Sequence, residues 1–160
     1  MADHGINVSR ADTAVATPNA ATCGIPFVIG TAPLSKATGT AATVGTPVLC
    51  TSYTEAEEQL GYDDDWAKYT VCEVMHYHFK LCACQPVIFL PLAEDAEAAA
   101  VAAAVEQVEA CLTMFGIVPD LIMAPGFSKD ATVSAAIDAK AGSINGMFTG
   151  CLLYTSPSPR

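Results

Sequence analysis

The sequence predicts an α/β protein with a mainly parallel sheet and helices on both faces, incomplete at its C-terminus and carrying an extended N-terminal arm. Four apolar residues, Leu121 to Ala124, lie between an acid and a Pro-Gly pair, which is typical of a strand buried on both faces. A helical pattern precedes this run from Val101 to Phe115, and another follows from Ser128. Strands separated by helices favour parallel pairing with right-handed crossovers.

The composition is that of one globular domain with few basic groups. Of the 160 residues, 52% are hydrophobic and 15% are charged, which suffices for a core. The formal net charge is -10, so no nucleic-acid partner is expected. No apolar stretch approaches the ~18 residues of a membrane span, and the start of the chain does not resemble a secretory signal. Seven cysteines without an export signal indicate a reduced compartment.

Residues 1–22 are predicted to form the arm and a hinge, and residues 23–150 the α/β domain. Ile6 and Val8 alternate with Asn7 and Ser9, which indicates an extended arm or an edge strand. The small and polar residues 14–22 are typical of a flexible link.

The first half of the domain is predicted to hold two strands and a short helix. The strands are Gly24–Ala32 and Thr46–Ser52. Thr54 is the predicted N-cap of the helix, Glu57 completes a capping box, and Gly61 ends the helix.

A second helix is predicted from Trp66 to about Cys82, with one of the acids Asp63 to Asp65 as its cap. Its apolar face follows helical spacing and comprises Val71, Met75, Phe79 and Cys82.

The clearest helix, Glu94–Phe115, follows a buried strand at Gln85–Leu92. Its predicted core face comprises Val101, Val105, Val108, Leu112 and Phe115. After the strand that ends at Pro-Gly, Ser128 is the predicted cap of a helix from about Lys129 to Ala141. Met147 to Thr149 are predicted to begin a further strand.

Residues 151–160 break the α/β pattern and are predicted to be a non-native tail. The segment Cys151-Leu152-Leu153-Tyr154-Thr155-Ser156-Pro157-Ser158-Pro159-Arg160 resembles one reading frame of a transposase adapter used in sequencing libraries. On this interpretation the natural product continues differently after Gly150; the alternative is a natural Ser/Pro tail.

One cluster of cysteines and histidines suggests a metal site, but its spacing argues against one. The cluster comprises Cys72, His76, His78, Cys82 and Cys84. On a helix, Cys72 pairs with His76 and His78 with Cys82, and the two pairs point in nearly opposite directions. Core cysteines and partly exposed histidines are the preferred interpretation, so no metal is predicted.

Three other patterns resemble functional motifs but lack residues that the chemistry needs. The stretch Gly30 to Lys36 lacks the second glycine of a phosphate loop. Ser128 follows a strand end, but no nucleophile-elbow motif surrounds it and no histidine lies later in the chain. Asp63 to Asp65 lack the spaced ligands of a calcium loop. No catalytic residue and no cofactor are predicted, and the protein is not expected to be an enzyme.

Several segments, read in order, resemble the N-terminal half of a contractile phage tail sheath protein. The opening His4-Gly5-Ile6-Asn7-Val8 is similar to the family's H-G-V-x-V, and a strand ends in Gly30-Thr31-Ala32. Thr46-Pro47-Val48-Leu49 and a helix of Glu and Leu ending at Gly61 follow. Pro119-Asp120-Leu121-Ile122-Met123-Ala124-Pro125-Gly126 matches the stretch P-D-L-x-x-A-P-G. The resemblance covers roughly residues 4 to 150, without the inserted domain of many sheath proteins and without the C-terminal half.

The resemblance implies a structural role in a virion. Such subunits polymerise helically around a tail tube, and the sheath contracts to drive the tube into the host for genome ejection. The implied partners are neighbouring sheath subunits, the tail tube protein and the baseplate, with neither nucleic acid nor membrane. The implied locations are the virion tail and, during assembly, the cytoplasm of the host bacterium. Ile6, Asn7, Val8 and Ser9 would form the assembly arm.

Two other classes of function remain as alternatives. The first is a small α/β enzyme or ligand-binding domain of flavodoxin-like type, which would use loops at strand ends such as Thr31 to Lys36 and Pro125 to Lys129. The second is a metal-binding module on the helix that carries the cysteines and histidines. A phage-derived contractile injection system falls within the sheath class.

Overall fold

The computed structural model describes residues 24–83 and 86–142, together with the backbone of residues 151–152. The strands are β1 (Pro26–Thr31), β2 (Val48–Cys50), β3 (Val87–Leu92), β4 (Leu121–Met123) and β5 (Cys151–Leu152). The helices are α1 (Tyr53–Leu60), α2 (Thr70–Met75), α3 (Ala98–Ala104), α4 (Ala110–Phe115) and α5 (Ala131–Ala141). The predicted arm at residues 1–22 and the predicted strand start at Met147–Thr149 lie outside this part of the chain.

The five strands form one open, mostly parallel sheet in the order β2-β3-β1-β4-β5. β1 lies at its centre and pairs in parallel with β3 and β4, so that Val28 lies opposite both Phe89 and Met123. β5 pairs in parallel with β4. The predicted α/β class and the mainly parallel sheet are therefore confirmed.

One strand departs from the parallel pairing. β2 runs antiparallel to β3, with Val48 opposite Phe89. The chain between β1 and β2 contains one short 3-10 turn, Leu34–Lys36, and no crossover helix to carry it back to the opposite edge. β2 therefore starts at the end of the sheet where β1 finishes, and it runs back in the opposite direction, antiparallel to β3.

The fifth strand lies at residues 151–152, directly after Gly150 and inside the predicted non-native tail. Its backbone pairs with β4 in parallel, as expected for a strand that follows a crossover helix, here α5. The adapter origin of residues 151–160 stays a prediction.

Helices cover both faces of the sheet, as predicted. On one face, α1 and α2 pack on the sheet through a buried cluster that comprises Val28, Ala32, Cys50, Ala56, Leu60, Val71, Val74, Met75, Phe79, Val87 and Phe89. On the other face, α3, α4 and α5 pack through a second cluster that includes Phe27, Ile29, Ile88, Leu90, Val101, Val105, Val108, Cys111, Ile122, Val133 and Ile137. The fully buried strands β1 and β3 thus divide two cores, which explains why their sequences do not alternate.

The predicted core face of the third long helix is wrong in its last turns. Val105–Glu109, between α3 and α4, is a 3-10 turn. With three residues per turn, the buried positions follow as Val105, Val108 and Cys111. Leu112, predicted to be in the core, is 46% exposed. The helix also begins at Ala98, four residues later than predicted.

The run Ala98–Phe115 is long and apolar enough to cross a membrane, judged only by its 18 residues and its mean hydropathy of 1.4. The prediction that no apolar stretch approaches the length of a membrane span is therefore wrong by the criterion of length and mean hydropathy. One stripe of the run packs on the sheet through Val101, Val105 and Val108, and 28% of the span is buried.

Two predicted helix caps are displaced by two residues. Ser52, not Thr54, caps α1, since its side chain accepts from Glu55 N, and the Glu55 carboxylate accepts from Thr51 N at 2.8 Å. Asp130, not Ser128, caps α5, accepting from Thr132 N at 2.8 Å. In both cases the true cap is the last polar residue with extended backbone before the helix.

The helix predicted from Trp66 begins at Thr70. The acids before it form turns instead of a cap: Asp63 accepts from Asp65 N at 2.8 Å, and Asp65 from Lys68 N at 3.3 Å. The helix continues beyond α2 as a π-helical segment, His76–Leu81. This wider turn leaves Phe79 buried but Cys82 exposed, which corrects the predicted apolar face.

Candidate functional site

The carboxyl edge of the parallel strands holds a buried pair of threonines. Thr31 ends β1, and its Oγ1 accepts a hydrogen bond from Thr70 N at 3.2 Å. Thr31 N in turn donates to Thr70 Oγ1 at 3.3 Å, and Thr31 Oγ1 donates to Lys68 O at 2.5 Å. Tyr69, the N-cap residue of α2, supplies no side-chain cap. The β1 threonine therefore takes over part of the capping and fixes the start of α2 against the sheet.

Two glycines enclose Thr70. A Cβ added at Gly30 would collide with Thr70 Oγ1, and a Cβ added at Gly126 would lie 2.8 Å from Thr70 Cγ2. Gly126 also has a φ of +81°, a backbone conformation that favours glycine. β1, α2 and the loop after β4 therefore meet at one threonine.

Beside this junction lies a cavity of about 340 Å³ between α2 and the end of β4. We call it the α2–β4 crevice. It is lined by Glu73, Val74, Tyr77, His78, Met123, Ala124, Pro125, Gly126 and Ser128. Its volume lies at the lower end of the range for small-molecule sites.

The crevice lies where the connections of neighbouring strands part. α1 and α2, which follow β1, pack on one face of the sheet, whereas α5, which follows β4, packs on the other. β1 and β4 are adjacent, so the gap at their carboxyl ends is a topological switch point. In open α/β sheets this is where ligands bind.

The lining is mainly apolar, with a few polar groups. Val74 is buried, Met123 is partly buried, and Tyr77 is 48% exposed. Glu73 supplies a carboxylate. Burial lowers the pKa of the His78 imidazole, which favours the neutral form of this ring.

At the amino ends of the parallel strands, Asp120 hydrogen-bonds to the residues just before β1. Its Oδ2 accepts from Gly24 N at 2.8 Å and from Ile25 N at 3.0 Å, and its own N donates to Ile25 O at 2.9 Å. These bonds pin the beginning of β4 to the beginning of β1. The acid of the P-D-L-x-x-A-P-G stretch therefore has a structural role.

The cysteines and histidines of this helix lie in different surroundings. Cys72 is buried, and burial raises the pKa of its thiol to about 11. His76 packs on Trp66 and Tyr77, with ring centroids 5.2 and 5.7 Å away. Within residues 24–83 and 86–142, no group of three or more ligating side chains could hold a metal ion. Cys84 lies outside these residues.

The other sequence candidates fall at different places. Lys36, the last residue of the stretch compared with a phosphate loop, is exposed and pairs with Asp63, which is partly buried. The same contact engages the first of the three acids considered as a cation site. Ser128 lines the α2–β4 crevice but does not cap α5. Ile6, Asn7, Val8 and Ser9 lie outside the described residues.

Sequence reasoning missed Thr70, Glu73 and Tyr77. All three lie in the helical segment from Thr70 to Leu81, where the cysteines, the histidines and the apolar spacing are the more prominent sequence features. The neighbourhood of Thr70 carried one usable signal, since Gly30 and Gly126 each stand at the end of a predicted strand. Such glycines indicate a close approach by another element, although the sequence does not say which element.

A scan against protein-family models finds no match to this chain, and a comparison with curated proteins finds no relative.

Proposed function

We propose that the protein is a structural subunit of a contractile tail sheath, which polymerises helically around the tail tube and contracts to drive the tube into the host. The observation that carries the proposal is the ordered set of sheath-like segments, from His4-Gly5-Ile6-Asn7-Val8 to the P-D-L-x-x-A-P-G stretch. Its partners are neighbouring sheath subunits, the tube protein and the baseplate, in the virion tail and, before that, in the host cytoplasm.

The roles of the described segments support a framework protein. Thr31 of the Gly-Thr-Ala segment bonds to Thr70, and Gly126 at the end of the P-D-L-x-x-A-P-G stretch packs on the same residue. Asp120 pins β4 to β1. The residues that carry the resemblance thus join strands and helices to one another, as a subunit under mechanical load requires.

The open sheet also supports assembly through strand addition. β2 is an edge strand of three residues, and it has no strand partner on its outer side within the described residues. An extended arm from a neighbour can add a strand to such an edge. Head-to-tail contacts that do not close give helical filaments, and rigid subunits on flexible arms permit two packings of the same filament.

The arm at residues 1–22 and an α/β domain that is incomplete at the C-terminus belong to this proposal. Ile6 and Val8 would be the inward side of the added strand, with Asn7 and Ser9 outward. On the adapter interpretation, the natural product continues past Gly150 and adds strands beyond β4.

The test begins with the source DNA across the junction after codon 150. We expect other codons in place of codons 151–160 and a long further α/β segment beside a tube gene. The recovered protein, expressed with its tube partner, should form hollow tubes visible by electron microscopy. A frame that ends near Gly150, or a product that stays monomeric in the presence of the tube, would refute the proposal.

The arm has a matched pair of variants. Ile6→Asp with Val8→Asp should abolish tubes of the recovered protein while leaving a folded monomer, since charges would face the neighbouring sheet. Asn7→Asp with Ser9→Asp should leave tubes intact. Tubes that survive the first pair would exclude the arm as the assembly element.

One observation favours a second candidate function, a small-molecule-binding α/β domain of flavodoxin-like type. The α2–β4 crevice lies at the switch point of the sheet and has the volume of a small ligand site. Saturable binding of any small ring compound to this crevice supports this candidate, and its absence from a panel of such compounds contradicts it.

A further inference from the structure

The α2–β4 crevice combines an apolar wall with a carboxylate. Val74, Met123 and Pro125 provide apolar surface on two sides, and Tyr77 provides a ring. Ring-sized apolar ligands gain most from such walls, because their burial removes apolar surface from water. Glu73 supplies a negative charge at the same place.

That charge is not neutralised by a salt bridge with any described residue. The salt bridges of residues 24–83 and 86–142 use other acids: Lys36 pairs with Asp63, Lys68 with Glu94, and Lys140 with Glu106 and Glu109. Lys80 lies over the rings of Tyr53 and Tyr62, at 4.0 and 4.9 Å. Glu73 is therefore not engaged in a salt bridge within this part of the chain and can pair with a bound cation.

The rest of the site favours a cation over an anion. The chain carries a formal net charge of -10, which repels anionic ligands and attracts cationic ones. Burial lowers the pKa of the His78 imidazole, which disfavours a positive charge on this part of the lining. Tyr77 adds an aromatic face, and such faces attract ammonium groups.

We propose that the α2–β4 crevice binds a small organic amine, with its ring on Val74, Met123 and Tyr77 and its ammonium group paired with Glu73. The inference rests on the second candidate function, the small-molecule-binding domain, and is independent of the sheath proposal. It adds the chemical class of the ligand to that candidate.

Three probes with one ring system and different charges test the inference. The ¹⁵N-labelled chain is titrated with tryptamine, with neutral 3-methylindole and with indole-3-acetate, and amide shifts are followed by NMR. We expect tryptamine to bind most tightly and to shift the amides of Val74, Met123 and Gly126 saturably. Glu73→Gln should weaken tryptamine about two- to fivefold, which is the contribution of one partly exposed ion pair.

Glu97→Gln is the matched control, because Glu97 is exposed and lies outside the crevice lining. It should leave tryptamine affinity unchanged. Equal binding of the three probes, or a Glu73→Gln variant that binds tryptamine like the parent, would overturn the amine inference and leave the crevice as a binding site. No saturable shift with any probe would overturn both the inference and the second candidate function.

Discussion

Thr31 and Thr70 hydrogen-bond to each other twice, backbone to side chain in both directions, across the junction of β1 and α2. Both residues are buried, at 3% and 5% exposure. Each hydroxyl serves the other residue's N–H, so neither donor is left unpaired in the core. The pair orients α2, and with it the wall of the α2–β4 crevice.

Thr70→Val should lower the free energy of unfolding by about 1–3 kcal/mol, because it keeps the shape of the side chain but leaves the buried Thr31 N–H without its acceptor. Thr70→Ser, which keeps the hydroxyl, should cost less. Urea denaturation followed by circular dichroism measures both. Thr113→Val is the control at an exposed threonine and should change stability by less than about 0.5 kcal/mol. Equal effects of Thr70→Val and Thr113→Val would contradict this role for the pair.

Gly126→Ala should destabilise the protein more than Gly45→Ala. Both glycines have positive φ, +81° and +75°, and each substitution costs about 1–2 kcal/mol for that conformation alone. Only the Cβ at Gly126 also meets Thr70 Cγ2, whereas nothing lies within 4 Å of a Cβ at Gly45.

A double-mutant cycle isolates this contact. Thr70→Ser removes Cγ2, so Gly126→Ala should cost less in the Thr70→Ser background than in the parent, while the cost of Gly45→Ala should be the same in both. Urea denaturation of the six proteins gives these differences. Additive effects of Thr70→Ser and Gly126→Ala would exclude the steric contact.

Asp120→Ala should lower the free energy of unfolding by about 0.5–1.5 kcal/mol, since the N–H groups of Gly24 and Ile25 lose their acceptor while the exposed Gly24 N–H can still bond to water. Asp120→Asn keeps an oxygen at the same place and should retain most of the stability. Thermal or urea unfolding measures both variants, with Asp95→Ala as the control at an exposed acid. An Asp120→Asn variant as unstable as Asp120→Ala would show that the charge, and not the acceptor, matters.

The buried thiols should resist alkylation in the native protein. Burial raises the pKa of Cys50 and Cys111 to about 12 and that of Cys72 to about 11, so all three are protonated near pH 8, and the thiolate is the reactive form. Iodoacetamide labelling read by mass spectrometry should modify exposed Cys82 first and the three buried cysteines only in denaturant. Labelling of Cys111 as fast as Cys82 without denaturant would contradict the burial of α4.

Local sequence was sufficient for the fold class and for most of the elements. The apolar runs between breakers correctly predicted the places of β1, β3 and β4, and β1 and β3 are buried throughout. The prediction that β4 is buried on both faces is wrong, because only Ile122 is buried and Leu121 and Met123 are partly exposed. Gly61 and Gly116 marked the ends of helices correctly, since both have the positive φ that ends a helix. These features depend on a few neighbouring residues and can be read from them.

The caps and the helix phase were predicted less well. Ser52 and Thr54 offer the same chemistry, and so do Asp130 and Ser128, so the choice depends on backbone angles that the packed helix imposes. The 3-10 turn at Val105–Glu109 moves Cys111 into the core and Leu112 out of it. A uniform helical period cannot anticipate such a turn.

The sequence by itself determined which stretches are buried strands and which are amphipathic helices, because burial selects residue type locally. Only the tertiary structure decided that β2 runs antiparallel at the edge, that Thr70 lies between Gly30 and Gly126, and that Glu73 lines a crevice with Met123. Those relationships join residues about 40 to 55 positions apart in the sequence, and no local sequence pattern predicts such distant contacts. They follow from how two helical layers pack on one sheet, which is a property of the whole core.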